Sequence, residues 1–370
     1  MPDSQDLPYR IAFASLRSLT PALANEILAL TGSEKAFFEA SATSLGAIMS
    51  RRNRLFDQDY RNGLLERARR ECDFIASYNI RPVYFTDADY PRRLTEIPDA
   101  PLMIYTLGNC DLNSRYVISI VGTRHVTPYG ADFIRDCVVD FASTLAEPPV
   151  IVSGLAYGAD STAHVAALQN KLPTVGVLAH GLNTIYPAAH RQLATDIIHQ
   201  GGMLLTDYLS SEQIHKGNFL ARNRIIAGLA DCTIVAESAD RGGALVTARL
   251  AGDYSRDVFA LPGRTSDRYS RGCNSLIASN MAMLVSCAAD VTQAMRWAVR
   301  EPEPQTPSLF PELTPEEEAI MEFLTQKPDS QVNTISVQLD IPAGKLMSIL
   351  IDMEFRNLVR LFPGGKYRTA

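Results

Sequence analysis

Seven short apolar runs punctuate the middle of the chain: VISIVG at 117–122, VIVSG at 150–154, TVGVLA at 174–179, MLLTD at 203–207, CTIVAES at 232–238, DVFALPG at 257–263 and AMLVS at 282–286. They are apolar along their length rather than on alternate positions, which predicts strands covered on both faces; the amphipathic stretches between them predict helices. Such alternation builds a doubly wound α/β domain, a Rossmann-like parallel sheet. Ligands of these sheets bind where strand C-termini meet the loops that follow.

From Ile11 to about Tyr78 the spacing is helical instead. Thr20 before Pro21 predicts a cap with a first-turn proline, Gly32 predicts a stop, and Leu64, Leu65, Ala68, Cys72 and Ile75 recur at helical intervals. The basic side chains Arg51, Arg52, Arg54, Arg61, Arg67, Arg69 and Arg70 are expected mostly on a solvated helix face. Residues 301–311, EPEPQTPSLFP, have the composition of an extended linker. Beyond it, helical stretches at 314–326, 331–339 and 343–355 precede LVRLFPGGKYR, a hairpin with a Gly-Gly turn, the order of a winged helix. The third stretch carries Lys345 against Asp352 and Glu354, a poor set for reading a groove, so packing or protein contact is expected of it. The expected division is a small N-terminal helical domain of a SAM or helix-hairpin-like kind at 1–80, an extended Rossmann-like domain at 81–300, the proline-rich linker at 301–311 and a C-terminal winged-helix domain at 312–370.

Length and composition, 370 residues at 46% hydrophobic, allow a full core plus small accessory domains. The formal net charge is −6, from 35 basic against 41 acidic residues, which excludes a generally basic nucleic-acid coat. A polyanion site must then be a focused patch. Cys72, Cys110, Cys137, Cys232, Cys273 and Cys287 show no CxxC spacing, so reduced thiols and no metal are expected. No signal pattern opens the chain and no apolar run nears the roughly 20 residues that span a bilayer, so no membrane association and a cytoplasmic location are expected.

Against this acidic background the run HKGNFLARNRIIA at 215–227 gathers Lys216, Arg222 and Arg224 on one helix. Cations at a helix start oppose the helix dipole, so an anion should offset them. A salt-bridged, solvated basic face is the plainer reading of an isolated Arg-x-Arg. The loops at the strand ends favour the anion. Gly122-Thr123-Arg124 closes the first strand, and Ser153-Gly154-Leu155-Ala156-Tyr157-Gly158 closes the second and opens a helix capped near Asp160. Arg241-Gly242-Gly243-Ala244, Pro262-Gly263 and Ser270-Arg271-Gly272-Cys273-Asn274 follow later strands. Small residues let backbone amides approach an anion closely, and Arg124 adds a donor fork that matches phosphate. Taken singly, glycines at such turns are more often structural. Neither GxGxxG nor GxxxxGK[ST] occurs, so NAD and ATP are unsupported and no cofactor is expected.

The strings IVGTR, VSGLAYGAD, GLNTIYP, NFLARNRIIAGLADCTIVAE, GGALVTARLA, VFALPG and RGCNSLI occur in the order of the DprA/Smf family, DNA processing protein A of bacterial natural transformation, which the run from Val117 to Val291 resembles. The resemblance implies a non-catalytic single-stranded DNA binder that receives incoming DNA, works beside single-strand binding protein, loads the RecA recombinase and forms a homodimer through its Rossmann-like domain. It implies DNA-binding positions at Arg124, Lys216, Arg222 and Arg224, with Gly122, Thr123, Ser153, Gly154, Gly158, Asn218, Asn223, Gly242 and Gly243 completing the pocket. The chain departs from the family pattern at Phe219-Leu220, where the family's Phe-Pro is replaced, and at Ala179-His180-Gly181-Leu182-Asn183 and Gly242-Gly243-Ala244, where hydroxyl donors are lost. His180 is expected either to donate in their place or to be a packed or capping residue. The alternative is a nucleoside-monophosphate phosphoribohydrolase on a similar scaffold. Its glutamate has no counterpart in ALVTARLA, where Arg249 falls near the acid's place, and Glu237 is expected to hold an arginine.

Overall fold

The computed structural model describes residues 6–41, 43–45, 57–300 and 313–370. The expected linker and Arg51, Arg52 and Arg54 lie outside the described residues. The chain separates into two units, Met1–Arg300 and Glu301–Ala370.

In the first unit the seven predicted runs all become strands: β3 (Val117–Val121), β4 (Val150–Ser153), β5 (Thr174–Val177), β6 (Met203–Thr206), β7 (Cys232–Val235), β8 (Asp257–Ala260) and β9 (Met283–Leu284). They pair in parallel in the order β6-β5-β4-β3-β7-β8-β9. The chain steps outward from β3 to β6, then crosses back to lay β7 on the other side of β3. This reversal makes the C-terminal ends of β3 and β7 the switch point. Successive β3 side chains feed opposite cores: Val117 and Val121 pack with Ile225, Ile226 and Leu229, whereas Ile118 and Ile120 pack with Ile134, Val138 and Phe141. Burial on both faces explains the unbroken apolar runs. Ser119, buried between them, donates to Thr233 Oγ1 at 2.7 Å, so its hydroxyl enters the core with a partner.

The sheet is not wholly parallel. Two strands outside the seven runs, β1 (Arg81–Tyr84) and β2 (Met103–Gly108), form an antiparallel pair, and β2 joins β6 antiparallel. Pro82 within β1 argues against a strand in a sheet interior, but β1 is the outermost strand, where a missing N–H is tolerated.

Helices α1 (Leu7–Ala14), α2 (Pro21–Thr31), α3 (Glu34–Glu39) and α4 (Gln58–Ser77) precede this pair. Thr20 caps α2 by accepting from Leu23 N–H at 3.4 Å, and Gly32 ends it at φ +85°. Ile11, Phe13, Phe37, Leu64 and Ile75 share one apolar core with Tyr84, Met103 and Tyr105 of the hairpin. The helical region therefore packs onto the sheet's added edge. Arg61 departs from the solvated face expected for it: it is fully buried, and its guanidinium donates to Phe37 O at 2.6 Å and Ala40 O at 2.8 Å, closing the carbonyl end of α3.

The remaining helices of this unit are α5 (Arg92–Thr95), α6 (Pro128–Thr144), α7 (Ala159–Gln169), α8 (Arg191–His199), α9 (Lys216–Leu229), α10 (Gly243–Asp253), α11 (Arg271–Ala278) and α12 (Ala288–Ala294). The second unit holds α13 (Pro315–Gln326), α14 (Val332–Leu339) and α15 (Ala343–Phe355), with β10 (Ser330–Gln331), β11 (Val359–Phe362) and β12 (Lys366–Thr369) in an antiparallel sheet ordered β10-β12-β11. Thr314 and Glu317 form a reciprocal box at the start of α13, with Thr314 N–H donating to Glu317 at 2.8 Å. Lys345, the cation of α15, pairs with Glu316 of α13. No single helix among the described residues is long and apolar enough to cross a membrane.

Candidate nucleic-acid interface

At the switch point, the loops after β3, β4 and β7 and the first turns of α9 and α10 enclose a cavity of about 530 Å³. β3 runs into Gly122-Thr123-Arg124, a turn pinned by Thr123 N–H donating to Glu237 O at 2.7 Å and by Thr123 Oγ1 accepting from His125 N–H at 3.1 Å. Gly158 supports it from below at φ +78°; a Cβ there would fall 2.3 Å from Thr123 O and 2.6 Å from the Arg124 carbonyl carbon. Only glycine lets the two loops lie this close. Arg124 is exposed and lies 5.6 Å over the Phe219 ring. Lys216, the first residue of α9, is exposed too, and neither cation forms an ion pair among the described residues. No side chain caps α9 or α10; Asn218 N–H and Leu245 N–H turn back to His215 O at 3.1 Å and Gly242 O at 3.2 Å, which leaves the amides before them for a ligand or water.

Arg222 also lines the cavity but is only 4% exposed. Its Nη1 donates to Gly154 O at 2.8 Å and to Val177 O, joining the ends of β4 and β5. A Cβ on Gly154 would sit 2.4 Å from that nitrogen, so this glycine makes room for the guanidinium. Burial pushes the Arg222 pKa down, with Asp160 the main opposing charge. Burial likewise pushes the Asp160 carboxyl up, opposed by Arg222 and by Ala156 N–H donating at 3.3 Å. Arg222 is thus a fixed part of the wall. Among the described residues, Asp160 is the one carboxylate lining the cavity.

The other expected positions divide. Gly122, Thr123, Asn223, Gly242 and Gly243 line the cavity. Asn223 Nδ2 donates to Gly243 O at 3.4 Å, tying α9 to the start of α10. Ser153, Gly154, Gly158 and Asn218 stand behind the lining. Ser153 Oγ donates to Ile120 O at 2.6 Å and Asn218 Nδ2 to Gln213 O at 3.1 Å, so these groups hold the scaffold.

Two expectations, for Arg224 and Glu237, are corrected, and one alternative, for His180, is decided. Arg224 is not in the cavity: two residues beyond Arg222 it points to the opposite side of α9, since helix positions two apart do not share a face. There it pairs with Asp207 and donates to Asp99 O at 2.7 Å. For His180 the packed, capping reading holds over the donor reading, because it is buried with both ring nitrogens engaged by backbone. Its Nδ1 donates to Gly181 O at 2.9 Å, its Nε2 accepts from Tyr186 N–H at 3.2 Å, and burial pushes its pKa down. Glu237 holds no arginine; its carboxylate accepts from Thr127 N–H and Thr127 Oγ1, both at 2.7 Å, at the start of α6.

The structure adds aromatic residues the sequence reading passed over. Tyr186 and Phe219 line the cavity with ring centroids 5.6 Å apart, and His125 stands at its rim. A Phe one turn into a cationic helix start was the available signal.

Residues 81–296 match the family model described as DNA recombination-mediator protein A. The chain is 42% identical over 205 residues to DNA processing protein DprA of Streptococcus pneumoniae, covering 55% of this chain and 71% of the relative. It is 32% identical over 287 residues to Protein Smf of Escherichia coli, covering 75% of each. The X-ray structure of DprA from S. pneumoniae superposes with a TM-score of 0.62 at 33% identity, over 77% of this chain and 95% of that one. DNA processing protein A of Helicobacter pylori, solved for its single-stranded DNA binding mode, superposes at 0.52 with 28% identity, over 59% and 96%. With the family model spanning the whole sheet and E. coli Smf matched over three quarters of both chains, this chain belongs to the DNA recombination-mediator protein A family, the DprA/Smf proteins.

Proposed function

We propose that this protein binds single-stranded DNA non-catalytically, with backbone phosphates in the switch-point cavity. One observation carries the reading: Arg124 and Lys216 face a shared cavity without acid partners, beside two helix starts that no side chain caps. Phosphate accepts from both kinds of donor. Phe219 and Tyr186 offer ring faces for unpaired bases, which a duplex keeps stacked away. The single-stranded DNA mode of the H. pylori relative supports the same assignment. Following the family resemblance, we place the bound strand upstream of RecA loading, in cooperation with single-strand binding protein, by a cytoplasmic homodimer joined through the Rossmann-like domain.

The phosphoribohydrolase alternative asks for a free carboxylate at the reacting sugar. Glu237 is engaged by Thr127 and Asp160 is buried against the wall, which favours binding over cleavage. Titration of labelled single-stranded and duplex oligonucleotides across a salt series tests the reading. Single strands should bind tighter, with log affinity falling by about 0.7 per neutralised phosphate for each decade of salt. Equal binding of both forms, or release of adenine from AMP by the purified protein, would overturn it.

A further inference from the structure

The cationic surface continues past the cavity. His125 stacks on Tyr269 with centroids 6.1 Å apart and planes at 28°. Tyr269 is tied to the cavity wall, because its carbonyl accepts from Ser238 N–H at 2.6 Å and Ser238 lines the cavity. Two further concavities adjoin it. One is lined by Tyr129, Arg264, Arg268 and Tyr269, and the next by Asp240, Arg241, Arg268 and Arg271. Arg268 borders both and lies 5.6 Å over the Tyr269 ring.

All four arginines are exposed. The side chains of Arg241, Arg264 and Arg268 form no hydrogen bond or ion pair among the described residues, so the fold does not consume them. The acids lining them are Asp240, 4.0 Å from Arg271, Asp267, which accepts from Ser266 at 3.3 Å, and Glu237, which is buried and held by Thr127. The Arg271–Asp240 pair is more than half exposed on both sides, and such pairs hold by about 1 kcal/mol at most. Four exposed arginines against three acids, one of them buried, leave a positive rim on a chain of net charge −6.

We propose that this rim is a second segment of the same track: a single strand with phosphates at Arg124 and Lys216 passes over the His125–Tyr269 pair and lays further phosphates on Arg241, Arg264, Arg268 and Arg271. The proposal rests on the reading of the cavity given above. A nucleic-acid strand suits the rim better than an acidic peptide, because flat ring faces lie between two phosphate-seeking patches and bases stack on such faces.

The test uses the full chain and labelled oligothymidylates of about 6 and about 20 nucleotides, the first near the short end of the roughly 4–16 nucleotides that a single ssDNA-binding module covers and the second beyond it. Wild type is compared with Arg241→Ser/Arg264→Ser/Arg268→Ser/Arg271→Ser and with the milder Arg241→Glu/Arg268→Glu, whose two changes lie on separate loops. The expected result is a short oligonucleotide bound by all three proteins within twofold, and a long one weakened tenfold or more in both variants. The salt slope for the long strand should also flatten, by about 2.8 in the quadruple variant and by about 1.4 or more in the double variant. Unchanged affinity for the long strand in the double variant overturns the proposal even if the quadruple variant does not fold. A poly-glutamate peptide that binds wild type but neither variant, with the long strand unaffected, overturns it in favour of a protein partner. Loss of the short strand in wild type would instead remove the cavity reading on which the track depends, and the track with it.

Discussion

Two cavities of similar size flank α9, about 530 Å³ at the switch point and about 470 Å³ beneath the helical region, and each is lined by three cationic side chains. The first sets Arg124, Lys216 and Arg222 against Asp160. The second sets Arg17, Arg67 and Arg224 against Asp99, Asp207 and Glu212. In the second, Arg67 meets Glu212 at 2.8 Å, Arg224 meets Asp207, and Asp99 accepts from Tyr254 at 2.7 Å. Two of its three cations are paired with acids within the protein and three acids line it against three cations; Arg17 is exposed and forms no ion pair among the described residues. In the first, two cations face solvent without acids while the third is locked into the wall. An anion site is therefore marked by cations lacking partners beside uncapped amides, not by the number of cations.

The largest effect expected from pressing on this contrast is on folding. Arg222→Ala removes two hydrogen bonds from a buried guanidinium and leaves Asp160 without its opposing charge, so roughly 3 kcal/mol of stability should be lost, read as a fall in the urea midpoint. A midpoint unchanged within error would mean that Arg222 is a free ligand rather than a wall. Next, Arg124→Ala with Lys216→Ala should weaken single-stranded DNA binding on the order of 100-fold at low salt and flatten the salt slope by about 1.4, the share of two phosphates. Fluorescence anisotropy measures both, and the urea midpoint should stay put.

Behind the same wall, His164 is fully buried, with Nδ1 2.7 Å from Thr174 Oγ1. Burial, then the charges of His190 and Arg222, lower its pKa from 6.5 to about 3. The unfolded chain takes the proton first, so this part of the stability is complete above pH 6.5 and drains as pH falls toward 3. Compared with His164→Gln, wild type should lose about 2 kcal/mol more on moving from pH 7.5 to pH 5. Matching pH profiles would show that the site is wet. Smallest of all should be the effect of Arg224→Met with Asp207→Leu. Replacing a buried pair by apolar groups is close to neutral for stability, and DNA affinity should move by less than twofold. A tenfold loss would erase the distinction between the two cavities.

Much of this was legible in the sequence. The seven strands announced themselves because burial on both faces demands unbroken apolar runs, and the glycine turns followed from the close loop approaches seen at Gly154 and Gly158. The hairpin of β1 and β2 was missed because Pro82 obscures β1 unless its place at the sheet margin is known. Arg222 and Arg224 read alike as neighbouring cations, yet 3.6 residues per turn already separates their faces. What the sequence could not supply was the partner of each: Gly154 and Val177 for one, Asp207 for the other, contacts that exist only after the loops converge. The roles of Glu237 and His180 were hidden for the same reason.

The margins of the large sheet carry a consequence for self-association. One margin is a strand interrupted by a proline that has no N–H to offer, and the other is two residues long, Met283–Leu284. Both are poor templates for the addition of another chain by backbone ladders, so along these two borders recognition between copies falls to side-chain surfaces.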